Sequence, residues 1–169
     1  MADIDDANDL WTFALRLYRA PGVSEACLQL QEESGVDVPL LLFAAWLETR
    51  AVSLSTADIE RIDGLVASWR SEVIRPLRNV RHRLKSGPHP APSAQTESLR
   101  NAIKAAELSS ERIELTLLEA EGRVLSVTSR DVTLEGDNLT LVVQHFSKRP
   151  PDTAARASLD VVRLALASL

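Results

Sequence analysis

Two apolar series constrain the fold of this chain more than anything else in it. Ile59, Ile62, Val66, Trp69, Val73, Leu77, Val80 and Leu84 recur at gaps of three and four, which places them along one side of an α-helix of about thirty residues, roughly 45 Å at 1.5 Å per residue. Leu99, Ile103, Ala106, Ser110, Ile113, Leu117, Ala120 and Val124 follow with gaps that alternate strictly between four and three, a heptad seam of matching length. Between the two, residues 86–93 (SGPHPAPS) hold three prolines and a glycine in eight positions, the composition of an extended, exposed linker. Two helices of equal length across a short linker are expected to fold back as an antiparallel hairpin. A dimeric coiled coil is the alternative. Leu108, Leu115 and Leu118 favour packing within the chain, because they widen the second seam beyond a strict two-stranded one. Pro76 falls inside the first long helix; its missing N–H predicts a bend near Arg75 rather than a stop.

The flanking segments also read as helices. Asn8 or Asp6 can cap a first one over residues 10–18, with Leu10, Phe13, Ala14 and Leu17 on one face, before Pro21-Gly22 breaks it. Val23 to Ser34 form a second, with Ala26, Cys27 and Leu30 inward, Gln29, Glu32 and Glu33 outward, and Gly35 at the C-terminal cap position. Asp37 caps a third over residues 38–50, with Pro39 harmless in its first turn. That helix is apolar nearly all round, so it belongs in the centre of the domain. Ser55 caps the first long helix. Residues 127–143 alternate well enough around EGDN to form a β-hairpin; a short helix capped at Asp137 is preferred, since an isolated two-stranded hairpin is only marginally stable. A last helix from Pro151 or Asp152 places Ala155, Leu159, Val162 and Leu166 on one face. The expected fold is all-α: a single-domain helical bundle over residues 1–169, built around a long antiparallel helical hairpin with its Pro-rich linker at 86–93.

At 169 residues, 45% apolar and 25% charged, the chain is long enough for a real core and gives no case for disorder. Its longest apolar run, residues 38–47, is interrupted by Pro39 and far too short to span a bilayer. The opening MADIDDANDL has four aspartates and no Lys or Arg, the opposite of a basic targeting start. The single cysteine, Cys27, sits among Ala26, Leu28 and Leu30, as a small buried hydrophobe does, and allows no disulfide framework. A cytoplasmic location follows as the expectation.

The strings WTFALRLYRAPGVSEACLQLQEESGVDVPLLLFAAWL, VASWRSEVIRPLRNVRHRLK and KAAELSSERIEL resemble the bacterial family labelled domain of unknown function 2390. The likeness covers roughly residues 8–120 and weakens in the proline-rich linker and after Leu125. It implies a small all-helical cytoplasmic protein and brings no catalytic residue, substrate or cofactor with it.

Enzyme motifs fail on inspection. GxGxxG, GxxxxGK, GxSxG and HExxH are all missing, and with them the local geometry of dinucleotide, phosphate-loop, serine-hydrolase and zincin sites. His82, His89 and His145 are not spaced as metal ligands, so neither a metal nor a cofactor is expected. Glu107, Glu111 and Glu114 share a helix face; without a Glu-x-x-His on a second helix they read as a solvated face. Trp11, Phe43, Trp46 and Trp69 can line a small-molecule pocket between the apolar third helix and the long hairpin, or simply be core.

Charge is the one uneven property. Residues 1–55 carry a net −6, residues 56–93 a net +3 and residues 94–169 a net −2. The positive stretch is densest in RPLRNVRHRLK, residues 75–85, with five Arg and Lys, one His and no acid. If Leu77, Val80 and Leu84 face the core, then Arg75, Arg78, Arg81, His82 and Lys85 fan over the outside, joined at the hairpin tip by Arg100 and Lys104. Glu107 and the acids after it would lie toward the far end. Such a tip attracts phosphate, nucleic acid or an acidic protein surface. It can equally serve the fold, by matching the helix macrodipole or by holding the acidic N-terminal segment. Nucleic acid is the weaker candidate, since the chain is acidic overall and the patch offers no aromatic for stacking. The expected function is a non-enzymatic interaction or adaptor protein that meets an acidic protein surface through the tip; a small-molecule-binding protein or enzyme using the pocket is the alternative. Oligomeric state is open at this stage.

Overall fold

In a computed structural model of the chain, residues 9–128 and 136–169 are described, and every regular element among them is helical. The elements are α1 (Leu10–Arg19), α2 (Val23–Ser34), α3 (Val38–Glu48), α4 (Thr56–Trp69), a π-helical turn (Arg70–Ile74), α5 (Arg75–Arg83), α6 (Ala94–Val127), α7 (Asn138–Ser147) and α8 (Thr153–Leu166). Backbone contacts divide them into two compact units, Met1–Asp63 with Leu115–Leu169, and Gly64–Glu114. Both α4 and α6 contribute to each unit.

Short polar side chains start these helices by accepting the N–H groups that a first turn leaves without partners. Asp9 takes the Thr12 N–H at 2.6 Å, Asp37 that of Leu40 at 3.1 Å, Asp137 that of Thr140 at 3.0 Å and Asp152 that of Ala155 at 2.9 Å. Ser55 and Asp58 cap each other's backbone N–H reciprocally, at 2.8 and 3.2 Å. The cap of α1 is therefore Asp9; Asn8 and Asp6 lie outside the described residues. Gly35 ends α2 in the left-handed conformation, φ 67°, as expected. The helical reading of the α7 segment holds, with its cap at Asp137, while residues 129–135 lie outside the described residues.

In the first unit α3 is the centre. Residues 39–47 are all buried, and α1 and α7 pack on α3 while α8 packs on α2. Each buried Leu or Phe among them contributes about 1.5–3 kcal/mol relative to exposure. α3 stops at Glu48, two residues short of the expected end. Gly122 marks the tightest approach of α6: a Cβ there would lie 2.6 Å from Trp46 and 2.8 Å from Phe43. The segment after α3 is tied to α7 by Asn138. Its buried amide donates to the Val52 carbonyl at 2.8 Å and accepts the Leu54 N–H at 2.8 Å, so it satisfies backbone groups that no helix uses. Cys27 is fully buried, and burial pushes its thiol up to about 12.

The second unit, Gly64–Glu114, departs from the expected pattern in three ways. First, the linker is coiled into turns rather than extended: the Ala91 N–H donates to the Pro88 carbonyl at 2.8 Å. Second, Pro76 neither stops nor simply bends its helix. A π-helical turn precedes it, in which the Arg75 N–H reaches back to the Arg70 carbonyl, and the helix then resumes as α5. Third, the two apolar seams do not face inward along their full length. Val66 is fully buried, but Val80 is 48% exposed, and Leu99 and Ile113 are about half exposed. Arg70 and Ile74 are buried in the π-helical turn, and Glu107, Ser110 and Glu114 on α6.

Candidate functional site

The π-helical turn explains the change of inward face. An extra residue in one turn rotates everything after it by one position, about 100° on a helix of 3.6 residues per turn. Counting inward from Val66 in steps of four gives Arg70, Ile74 and Arg78, and three more give Arg81. The side chains expected to fan outward are thus turned toward α6, and Val80 is turned out.

Opposite them stand acids at the same helical spacing. Arg70 Nη2 lies 3.8 Å from Glu114 Oε1, with both side chains buried. Arg78 donates through Nε to Glu107 Oε1 at 2.9 Å and through Nη2 to Glu111 Oε1 at 2.8 Å. Arg81 donates through Nε to the other Glu107 oxygen and through Nη2 to Oε1 at 3.2 Å. Trp69 Nε1–H donates to the Ser110 carbonyl at 2.9 Å. As residue numbers rise along the first segment, those of the partners fall along α6. One carboxylate, that of Glu107, is gripped by two guanidiniums. Burial alone pushes its pKa up, but hydrogen bonds and charge from Arg81 and Arg78 outweigh burial and hold it below the usual carboxylate range. Burial likewise works against the charge on Arg78, and Glu107 with Glu111 outweighs it, so the guanidinium titrates above its ordinary value.

Two expectations are corrected here. Glu107 and Glu114 do not form a solvated face; they are 6% and 0% exposed, because cations on the facing segment neutralise them. Nor do Arg78 and Arg81 belong to a free basic tip. Of the remaining tip residues, Arg75, His82, Lys85 and Lys104 are exposed as expected, and Arg83 joins them. Arg100 is half-buried and paired with Glu97 at 2.5 Å. His82 senses the excess of positive charge: burial first, then Arg81 and Lys85, push its pKa down against the pull of Glu107. What sequence reasoning missed is the ion-pair ladder. The available signal was the match between Arg70, Arg78 and Arg81 on one segment and Glu107, Glu111 and Glu114 on the other, opposite in sign at the same three-and-four spacing.

The aromatic residues divide between the units. Phe43 and Trp46 pack with tilted rings, centroids 6.3 Å apart, and the Arg50 guanidinium lies 4.1 Å over the Trp46 ring. Trp11 is half-buried in α1. Trp69 is engaged with Ser110 in the second unit. Gly122 approaches both rings closely enough that a side chain there would overlap them. Elsewhere in the first unit His145 Nε2 meets Asp63 at 2.8 Å. Glu48 accepts the Leu139 N–H at 3.4 Å; burial and the neighbouring Asp137 raise its pKa. Among the described residues no group of three or more His, Cys, Asp or Glu could hold a metal ion, and no helix is long and apolar enough to cross a membrane.

Fold and site together define an all-α protein in which one group of helices closes on an apolar core and another on buried and half-buried ion pairs. The chain belongs to the family described as "Protein of unknown function (DUF2390)", whose model matches residues 9–118, a span that includes the whole ion-pair ladder. No curated protein and no solved structure matches the chain significantly.

Proposed function

We propose that this is a non-enzymatic cytoplasmic interaction or adaptor protein that engages an acidic protein surface through the cations α5 leaves in solvent. The observation that carries this reading is a division of labour within one basic run. Arg78 and Arg81 are neutralised by Glu107 and Glu111, whereas Arg75, Arg83, Lys85 and Lys104 are exposed and form no ion pair among the described residues. Exposed cations without acids project a field into solvent that steers an acidic partner and adds to its on-rate. The net −5 charge of the chain disfavours nucleic acid as that partner.

The test is titration of the full chain with an acidic probe, polyglutamate, at low and high salt. Replacing Arg75, Arg83 and Lys85 together by Glu is expected to abolish binding and leave the melting temperature unchanged, since exposed charges contribute little to stability. Wild-type binding that vanishes as the screening length falls from about 10 Å at 0.1 M to about 3 Å at 1 M completes the expectation. Equal binding by the variant would contradict it.

A further inference from the structure

We infer that α6 pairs with α6 of a second copy of this chain, antiparallel, along the apolar stripe that runs from Leu99 to Val124. The stripe is a surface distinct from the cations of α5. Leu99, Ile113, Leu117 and Val124 are 53%, 49%, 48% and 58% exposed, and Ala106 and Ala120 are exposed between them. Ile103 and Ser110 form its inner edge, half-buried and buried. Side chains that complete a strict heptad repeat therefore lie mostly in solvent while Glu107, Glu114 and Leu118 of the same helix face inward.

The period names the kind of partner. A helix turns every 3.6 residues, so a 3.5-residue stripe stays in register only with another helix that supercoils against it. Self-complementarity then names the helix. About a two-fold axis between Glu111 and Arg112, Leu99 meets the partner's Val124, Ile103 the partner's Ala120 and Ala106 the partner's Leu117, each layer occurring twice, and Ile113 meets its own copy across the axis with the buried Ser110 behind it. Both exposed alanines of the stripe meet a large residue. A parallel pair would set each residue against itself, leaving voids at Ala106 and Ala120. Charge does not oppose the register, because the groups on its flank are satisfied within each chain: Arg100 is paired with Glu97 and Glu121 with Arg61. Glu107 and Glu114, which share that flank, are already neutralised within their own chain by Arg78 with Arg81 and by Arg70.

Sedimentation equilibrium of the full chain is expected to give twice its 18.5 kDa mass. The double variant Ile113→Asp with Leu117→Asp is expected to weaken association by at least about tenfold with an unchanged far-UV circular dichroism spectrum, because both residues are already half in water in the single chain. Geometry is tested by oxidation. Ala106→Cys combined with Leu117→Cys is expected to give a disulfide-linked dimer, and Ala106→Cys alone is not. A wild-type monomer up to the highest soluble concentration overturns the inference, as does a dimer indifferent to the two aspartates. Efficient cross-linking by Ala106→Cys alone overturns it too, because that is the signature of a parallel pair. Should the aspartate variant lose helix, the cysteine pair decides the matter by itself.

Discussion

In the unit formed by Met1–Asp63 and Leu115–Leu169, α3 buries Leu40, Leu41, Phe43, Trp46 and Leu47; in the Gly64–Glu114 unit the inner positions include Arg70, Arg78 and Arg81 against Glu107, Glu111 and Glu114. The contrast separates two ways in which helices adhere. Apolar burial is non-directional and roughly proportional to area, so it tolerates small shifts and is indifferent to pH. A buried carboxylate is stabilising only while its guanidinium is in place, and desolvation offsets much of the attraction. The second arrangement therefore contributes less net stability and more positional specificity. It also depends on pH and on the π-helical turn that aims the arginines.

The largest effect should come from the apolar unit. Phe43→Ala is expected to cost about 3–5 kcal/mol in chemical denaturation, from lost transfer energy plus the cavity left beside Trp46. Glu107→Ala should cost less, about 2 kcal/mol, because it strands two guanidiniums that are largely but not wholly shielded. Replacing Arg78, Arg81 and Glu107 together by Met, Leu and Leu should restore most of that loss. If the triple variant is as unstable as Glu107→Ala, stranded charge is not the cause of the loss.

Acid sharpens the contrast. The folded-state pKa of Glu107 is depressed, so its contribution is present above the ordinary carboxylate pKa of about 4.3 and disappears as pH falls through the lower folded value. The fluorescence of Trp69, isolated by subtracting a Trp69→Phe variant, is expected to report opening of the Gly64–Glu114 unit in that window, and Glu107→Gln should remove the dependence. The first unit has no such single direction. Glu48 is raised and contributes stability that is lost as pH rises through its folded value, whereas Asp137 is depressed, with Thr140 and Arg163 outweighing burial, and acts the other way.

The smallest effects lie at two glycines, and they should differ in sign. Gly122→Ala pushes a methyl into Trp46 and Phe43 and is expected to destabilise by about 1–2 kcal/mol. Gly64→Ala, with open space around the added atom, should stabilise by roughly 0.5–1 kcal/mol through helix propensity. Thermal melts of the two variants decide it.

Most of the first unit was legible in the sequence because its signals are local. Asp37, Asp137 and Asp152 stand directly before their helices, Gly35 directly after one, and α3 is apolar all round. The phase of the second unit was not legible. Counting threes and fours through Arg70–Ile74 assumes one helical geometry, and one extra residue there exchanges Leu77 and Val80 for Arg78 and Arg81. The same count on α6 followed Leu99, Ile113 and Leu117 because they are apolar. Hydropathy cannot reveal that Glu107 and Glu114 turn inward, since what buries them is a charge on another segment. The all-α class survived the error; the composition of the basic tip did not.

The central claim is that the π-helical turn aims Arg78 at Glu107. A double-mutant cycle of Arg78→Ala and Glu107→Ala, read by equilibrium denaturation, measures it most directly. A coupling of about 1 kcal/mol or more, above the range usual for exposed pairs, is the result this account predicts. A coupling indistinguishable from zero, together with a large cost for Val80→Ala, would mean that α5 keeps the uninterrupted helical phase and that its arginines face solvent.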